Sequence, residues 1–201
     1  EPCAVSDYTV SDDGLVYTLT LKDNSWSDGQ KVTAADYVYG VKHALSIGSG
    51  EATYLSWITN NLVGAAQYDG ADVDSMSELT GVEAKDDSTL VFTLVKPCDY
   101  FVSLLSGGVF YAVRSDYAPS GDYTYAESSE VPTSGAFKYS SIDRADKIVM
   151  TKNENFCDAD KVTVETLTAV VMEDMEAELM AFQTGEIDYA TAVDAATVTS
   201  M

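Results

Sequence analysis

Between Tyr17 and Leu45 the chain reads YTLTLKDNSWSDGQKVTAADYVYGVKHAL, and this stretch constrains the fold more than any other. Tyr17, Leu19 and Leu21 alternate with Thr18 and Thr20, the period of a strand with one buried face. Ser27, Asp28 and Gly29 carry turn chemistry directly after Trp26. Thr33 then stands three residues before Asp36, the spacing of a helix start, and an anion in the first turn suits the helix dipole. Tyr37, Val41 and Leu45 follow at i, i+4 and i+8, so the helix has one apolar stripe. Trp26 is expected to be a buried wedge between that strand and that helix.

Elsewhere the pattern alternates between short strands and short helices. Val5 to Val10 reads as a strand, with Asp12-Asp13-Gly14 turning the chain into Leu15 to Leu21. Leu55, Ile58, Leu62 and Ala65 have helical spacing and predict a second helix over Thr53 to Tyr68. Ser75 to Leu79 is expected to add a helical turn. Thr89 to Val95 reads as a strand. Asp99 is expected to cap a helix to Leu105, with a strand at Val109 to Val113. Pro119 and Pro132 bracket a Tyr-, Ser- and Gly-rich run that is the best domain boundary in the chain. Strands are expected at 136–140, 148–152 and 166–172. Asp174 caps a helix with Met175, Leu179 and Phe182 on its core face, and Gly185 ends it in the left-handed conformation. Ile187 to Tyr189 begins another strand.

With 201 residues, 46% of them hydrophobic, the chain can bury a large domain or two small ones. Its net charge of −22, from 11 Lys and Arg against 33 Asp and Glu, repels phosphate backbones and argues against nucleic acid as a partner. No apolar run is long enough to span a bilayer as a helix. Cys3, Cys98 and Cys157 are widely spaced and the single histidine, His43, lies far from all of them, so neither a zinc site nor any other metal site is expected. The three read as small apolar residues, with one disulfide plus one thiol as the alternative.

The carboxylate pairs Asp12-Asp13, Asp86-Asp87, Asp158/Asp160 and Glu173-Asp174 invite an acid/base reading, but their Gly, Ser and Asn neighbours place them in solvated turns and caps. Asp69-Gly70-Ala71-Asp72-Val73-Asp74 lacks the spacing of a calcium loop. No nucleophile elbow, phosphate loop or dinucleotide fingerprint occurs, so no catalytic residue and no cofactor is assigned. Thirteen Tyr against six Phe favour rings with a polar edge. Tyr100, Tyr111, Tyr117, Tyr123 and Tyr125 read as half-exposed packing on a small α+β domain rather than a ligand shelf, and Trp57 as a domain-edge residue.

Three motifs carry a family resemblance. Trp26-Ser27-Asp28-Gly29 with Val32 to Tyr39 is similar to the signature segment of the family 5 extracellular solute-binding proteins, the oligopeptide and dipeptide receptors of bacterial ABC importers. Thr133 to Lys138 followed by Lys152-Asn153-Glu154-Asn155-Phe156, and Gly185-Glu186-Ile187-Asp188, resemble later segments of that family in the right order, although Cys157 stands where a Trp is expected. The resemblance implies part of a type II periplasmic-binding-protein-like fold, α+β to α/β. Residues 1–128 would form its small accessory domain and residues 129–201 part of the first ligand-binding lobe, in a piece of a longer protein. It implies a substrate-binding component that captures peptides, or a solute such as nickel or a sugar, and delivers them to a membrane permease. It further implies a monomer outside the cytoplasm, periplasmic or held at the cell surface as a lipoprotein. The ligand residues it implies are Tyr189, Thr191, Ala192 and Val193 beyond the Gly185–Asp188 segment, and Glu51 and Tyr54 in the loop after the first helix. A piece lacking the second lobe is expected not to bind ligand alone. The competing reading is a secreted hydrolase with an acidic carboxylate site.

Overall fold

Alternating apolar residues assemble a first sheet from Val5–Val10 (β1), Val16–Leu21 (β2), Val82–Ala84 (β3) and Thr89–Thr93 (β4), all antiparallel, in the order β1-β2-β4-β3. The computed structural model describes residues 4–50, 52–122, 129–172 and 174–191. Tyr17 lies opposite Phe92 and Leu19 opposite Leu90, which puts four large side chains on one buried face. Helix α1, Ala34–Ile47, lies against that face through Val41 and Leu45. Its start is closed as the sequence suggests: the Thr33 amide and hydroxyl both donate to Asp36 Oδ2, at 2.7 and 3.0 Å. Gly40, in mid-helix, lets the Tyr111 carbonyl approach so closely that a Cβ would sit 2.0 Å from its oxygen. Phe92, Phe101 and Phe110 meet edge to face with centroids 5.4 to 6.0 Å apart, and Tyr17 joins Phe101 at 5.0 Å.

The second sheet is a meander of Phe137–Ile142 (β5), Lys147–Lys152 (β6) and Thr166–Val170 (β7), in that order and antiparallel. Helix α4, Met175–Thr184, follows it, with Asp174 Oδ1 accepting the Glu176 amide at 2.9 Å and Gly185 at φ 77 ending it. The fold is thus mixed α and β, with antiparallel pairing throughout the described strands.

Several local expectations are corrected. The helix expected over 53–68 shrinks to α2, Ser56–Thr59. Leu55, Ile58, Leu62 and Ala65 are all buried, but the backbone at 62–63 leaves the helix to pair with β4, where the Val63 amide donates to the Thr93 carbonyl. Gly64, at φ 77, turns the chain away. The turn expected at 75–79 is a 3-10 turn at Val73–Ser75, started by Asp72, whose side chain accepts the Asp74 amide. Asp99 does not cap α3, Phe101–Leu104, which starts from Tyr100 without a side-chain cap. The strand expected at 109–113 is a 3-10 turn, Gly108–Phe110, followed by extended chain whose Val113 amide donates to Asp36 O on α1. Ile187 to Tyr189 is not a strand, because the Glu186 and Ile187 amides turn back to the Ala181 carbonyl. On α4 the expected core face is largely outside: Met175 and Phe182 are exposed, Leu179 is half-buried, and Ala181 is its one buried residue.

Candidate functional site

The signature turn sits where the two sheets meet. The Gly29 amide donates to the Trp26 carbonyl and Asp28 Oδ1 accepts the Gln30 amide, so the turn is closed by its own polar groups. Trp26 is 4% exposed, and among the described residues its buried indole Nε1 has no hydrogen-bond partner. Above the ring lies Arg114, its guanidinium carbon 5.8 Å from the Trp26 centroid and 5.4 Å from that of Tyr117. Arg114 is buried and paired with two carboxylates. It donates through Nε and Nη2 to Asp116, at 2.8 and 2.5 Å, and through Nη1 to Asp28 Oδ2 at 2.9 Å. The hydrogen bonds to Asp116 and Asp28 hold the guanidinium even more firmly protonated than usual, against the opposing effect of burial. The same contact keeps the Asp116 carboxyl below its ordinary range.

From this turn a polar seam runs to the second sheet. The Ser27 amide donates to the Thr133 carbonyl at 2.8 Å, and the Thr133 amide donates back to Ser27 Oγ at 3.1 Å. Asn24 Nδ2 donates to Ser134 O at 3.0 Å, while Asn24 Oδ1 accepts the Cys157 amide at 2.8 Å. Asn153, 1% exposed, donates to Gly135 O at 2.9 Å and accepts the Asn155 amide at 3.1 Å. Asn155 Nδ2 reaches the Ser27 carbonyl at 3.2 Å. Lys22 and Asp158 add an ion pair at 3.7 Å, and Asp158 is held below its usual range first by Lys161. Two of the sequence motifs, around Trp26 and around Asn153, therefore meet in space as one joint. Arg114 was not singled out in the sequence; its place two residues before Asp116, in a chain with 11 basic residues, was the available signal.

Beside the seam opens an apolar groove of about 1210 Å³, walled by β1, by residues 102–114 and by residues 131–135. Of the expected ligand residues that are described, Tyr54, Tyr189 and Thr191 do not line it. Tyr54 is on the loop before α2, and Thr191 lies beyond α4, where its hydroxyl donates to Glu178 Oε1 at 3.0 Å. Tyr189 is 78% exposed. Among the described residues no hydrogen bond or ring contact joins Tyr54 to Tyr189 or Thr191. Glu51, Ala192 and Val193 lie outside the described residues, as do Cys3, Tyr123 and Tyr125.

In each candidate pair one described carboxylate, that of Asp13, Asp86, Asp158 or Asp174, binds turn or cap amides or a cation. Asp13 Oδ1 accepts from Ser11 Oγ and from the Leu15 amide, and Asp86 accepts from Ser88 and Thr89. In the acidic loop Asp69 Oδ1 accepts the Ser49 amide at 2.6 Å. Cys98 is buried beside Tyr17, whose hydroxyl donates to its carbonyl at 2.9 Å, and Cys157 is half-buried at the seam. No helix among the described residues is long and apolar enough to cross a membrane.

The model of the bacterial extracellular solute-binding proteins, family 5 Middle, matches residues 1–201. The dipeptide-binding protein DppE of Bacillus subtilis is 29% identical over 191 residues, which cover 94% of this chain and 34% of DppE. The oligopeptide-binding protein SarA of Streptococcus gordonii is 36% identical over 173 residues, covering 81% of this chain and 25% of SarA. The peptide-bound OppA of Listeria monocytogenes superposes with a TM-score of 0.78 at 27% identity, over 99% of this chain and 39% of OppA. The substrate-binding domain of a Bacillus anthracis oligopeptide ABC transporter shares the fold, with a TM-score of 0.81 over 38% of its own length. The chain spans about a third or less of the length of these curated relatives.

Proposed function

The chain belongs to the bacterial extracellular solute-binding proteins of family 5, and from that premise we propose that it is part of the substrate-binding component of an ABC importer. The observation that carries this reading is the family match over residues 1–201, joined to relatives named for dipeptide and oligopeptide binding. The captured solute is a peptide, handed to a membrane permease by a monomeric receptor outside the cytoplasm, at the cell surface or in a periplasm. Residues 1–128 form the small accessory domain and residues 129–201 part of the first ligand-binding lobe. In this reading the seam between Ser27 and Thr133 joins the two into one arm of a clamp, and closure around the ligand requires a second lobe. Peptide contact falls to Tyr54 and Glu51 on one side and to Tyr189–Val193 on the other, where backbone groups pair with an extended ligand. In this reading the protein binds and releases without turnover, as its relatives are named for binding, and the carboxylates of Asp13 and Asp86 accept turn amides. Native mass spectrometry of the longer receptor carrying this segment tests the proposal. Co-purifying peptides, displaced by added peptide, are the expected result; a receptor that retains only sugar or metal overturns the peptide assignment.

A further inference from the structure

We propose that Tyr54 and Trp57 form an aromatic subsite for a basic side chain of the bound ligand, an inference that rests on the peptide-receptor reading above. Tyr54 is the one described non-glycine residue at positive φ, 66°, a conformation that bulky side chains avoid. The conformation gains the ring no burial, for Tyr54 stays 60% exposed. What it does is lay the phenol on Trp57, with centroids 4.8 Å apart and planes 30° from one another. The turn is locked by the Trp57 amide, which donates to the Tyr54 carbonyl at 2.9 Å. Trp57 cannot retreat from beneath it, because its six-membered ring lies over Gly107, where a Cβ would come within 2.4 Å. An aromatic surface is therefore built outward and backed by the core.

Charge selects the occupant. The loop before Tyr54 rests on Asp69, which accepts the Ser49 amide at 2.6 Å, and Asp72 and Asp74 follow in the same acidic loop. The whole chain carries −22. The face of a phenol is the negative side of its quadrupole, so the ring itself favours a cation, in a chain whose overall charge attracts one. Among the described residues the ring-over-cation contacts belong to Arg114, on Trp26 and Tyr117, and no cation covers Tyr54. A lysine or arginine side chain of the ligand fits this face. At an exposed ring the attraction corresponds to about a two- to fivefold preference over an uncharged side chain of equal length.

The test uses the longer receptor carrying this segment and peptides of one length with lysine or norleucine placed at each position in turn, titrated by calorimetry. The expected result is one position at which lysine binds about two- to fivefold tighter, less so as salt rises. That preference is lost in Tyr54→Leu and kept in Tyr54→Phe, with unchanged unfolding midpoints. No such position in the wild type, or a preference that survives Tyr54→Leu, overturns the subsite while leaving peptide capture intact. Failure to bind any peptide overturns the receptor reading and the subsite with it.

Discussion

Trp26 shows how one residue can be read correctly as a wedge and still hold a feature that only the structure reveals. Its burial followed from its place between an alternating strand and a capped helix. Its unpartnered N–H did not, since what surrounds the ring comes from segments distant in the chain, such as that of Arg114. Leaving an indole N–H buried and unsatisfied costs roughly 1–3 kcal/mol, so the residue is held for shape and for the face it offers Arg114. Trp26→Phe should therefore lower stability by no more than about 2 kcal/mol, whereas Trp26→Ala, which opens a cavity at the joint, should cost about 3–5 kcal/mol. Chemical denaturation of both variants checks this, and equal losses would contradict it. His43 supports a second residue-scale prediction. Its Nε2 lies 3.1 Å from Pro119 O and 3.0 Å from Asp122 O, and burial holds its pKa below the ordinary 6.5. The unfolded chain thus takes up the proton first as pH falls, and stability contributed by neutral His43 is lost on acidification below pH 6.5. Thermal midpoints of the wild type and His43→Gln should draw together between pH 7.5 and pH 5.5; a gap that widens on acidification would contradict the assignment.

At the scale of elements, what was legible followed local rules. β1, β2, α1 and the start and end of α4 were set by alternation, by Thr33 with Asp36, and by Asp174 with Gly185. Strands β4 to β7 were legible in the same way, and legibility failed where a distant contact overrides the local pattern. Helical spacing at Leu55, Ile58, Leu62 and Ala65 correctly marked buried residues. It could not announce that the Val63 amide would be claimed by Thr93, thirty residues on. Strand β3 escaped notice because three residues are too few to show a period. Of the candidate site, the motifs around Trp26 and Asn153 were visible separately, but that they form one joint was not. Asn153 is the test of that joint. Its buried amide serves the Gly135 carbonyl and the Asn155 amide, and alanine leaves both unmet. Asn153→Ala should cost about 2–4 kcal/mol, while Asn155→Ala, at an exposed side chain, should stay within about 1 kcal/mol. Hydrogen exchange should show new opening at 133–136 in the first variant alone. Exchange spread evenly over both sheets would contradict a local joint.

At the scale of the whole molecule, the two sheets are joined by the polar seam while much of the second sheet and α4 stays open to solvent. Strand β7 is exposed along its length and Met175, Met180 and Phe182 of α4 face outward, while the first sheet and α1 enclose a dense aromatic core. In the proposed clamp, an exposed apolar surface of that kind would be covered by further parts of the longer receptor. The most direct measurement is calorimetric titration of one peptide, taken from those that co-purify with the longer receptor, into that receptor and into residues 1–201 alone. A clamp of two lobes predicts saturable binding by the receptor and no measurable heat from the 201-residue segment, provided the segment is folded by circular dichroism. Micromolar binding by the folded segment would place the whole ligand site within it and contradict the clamp.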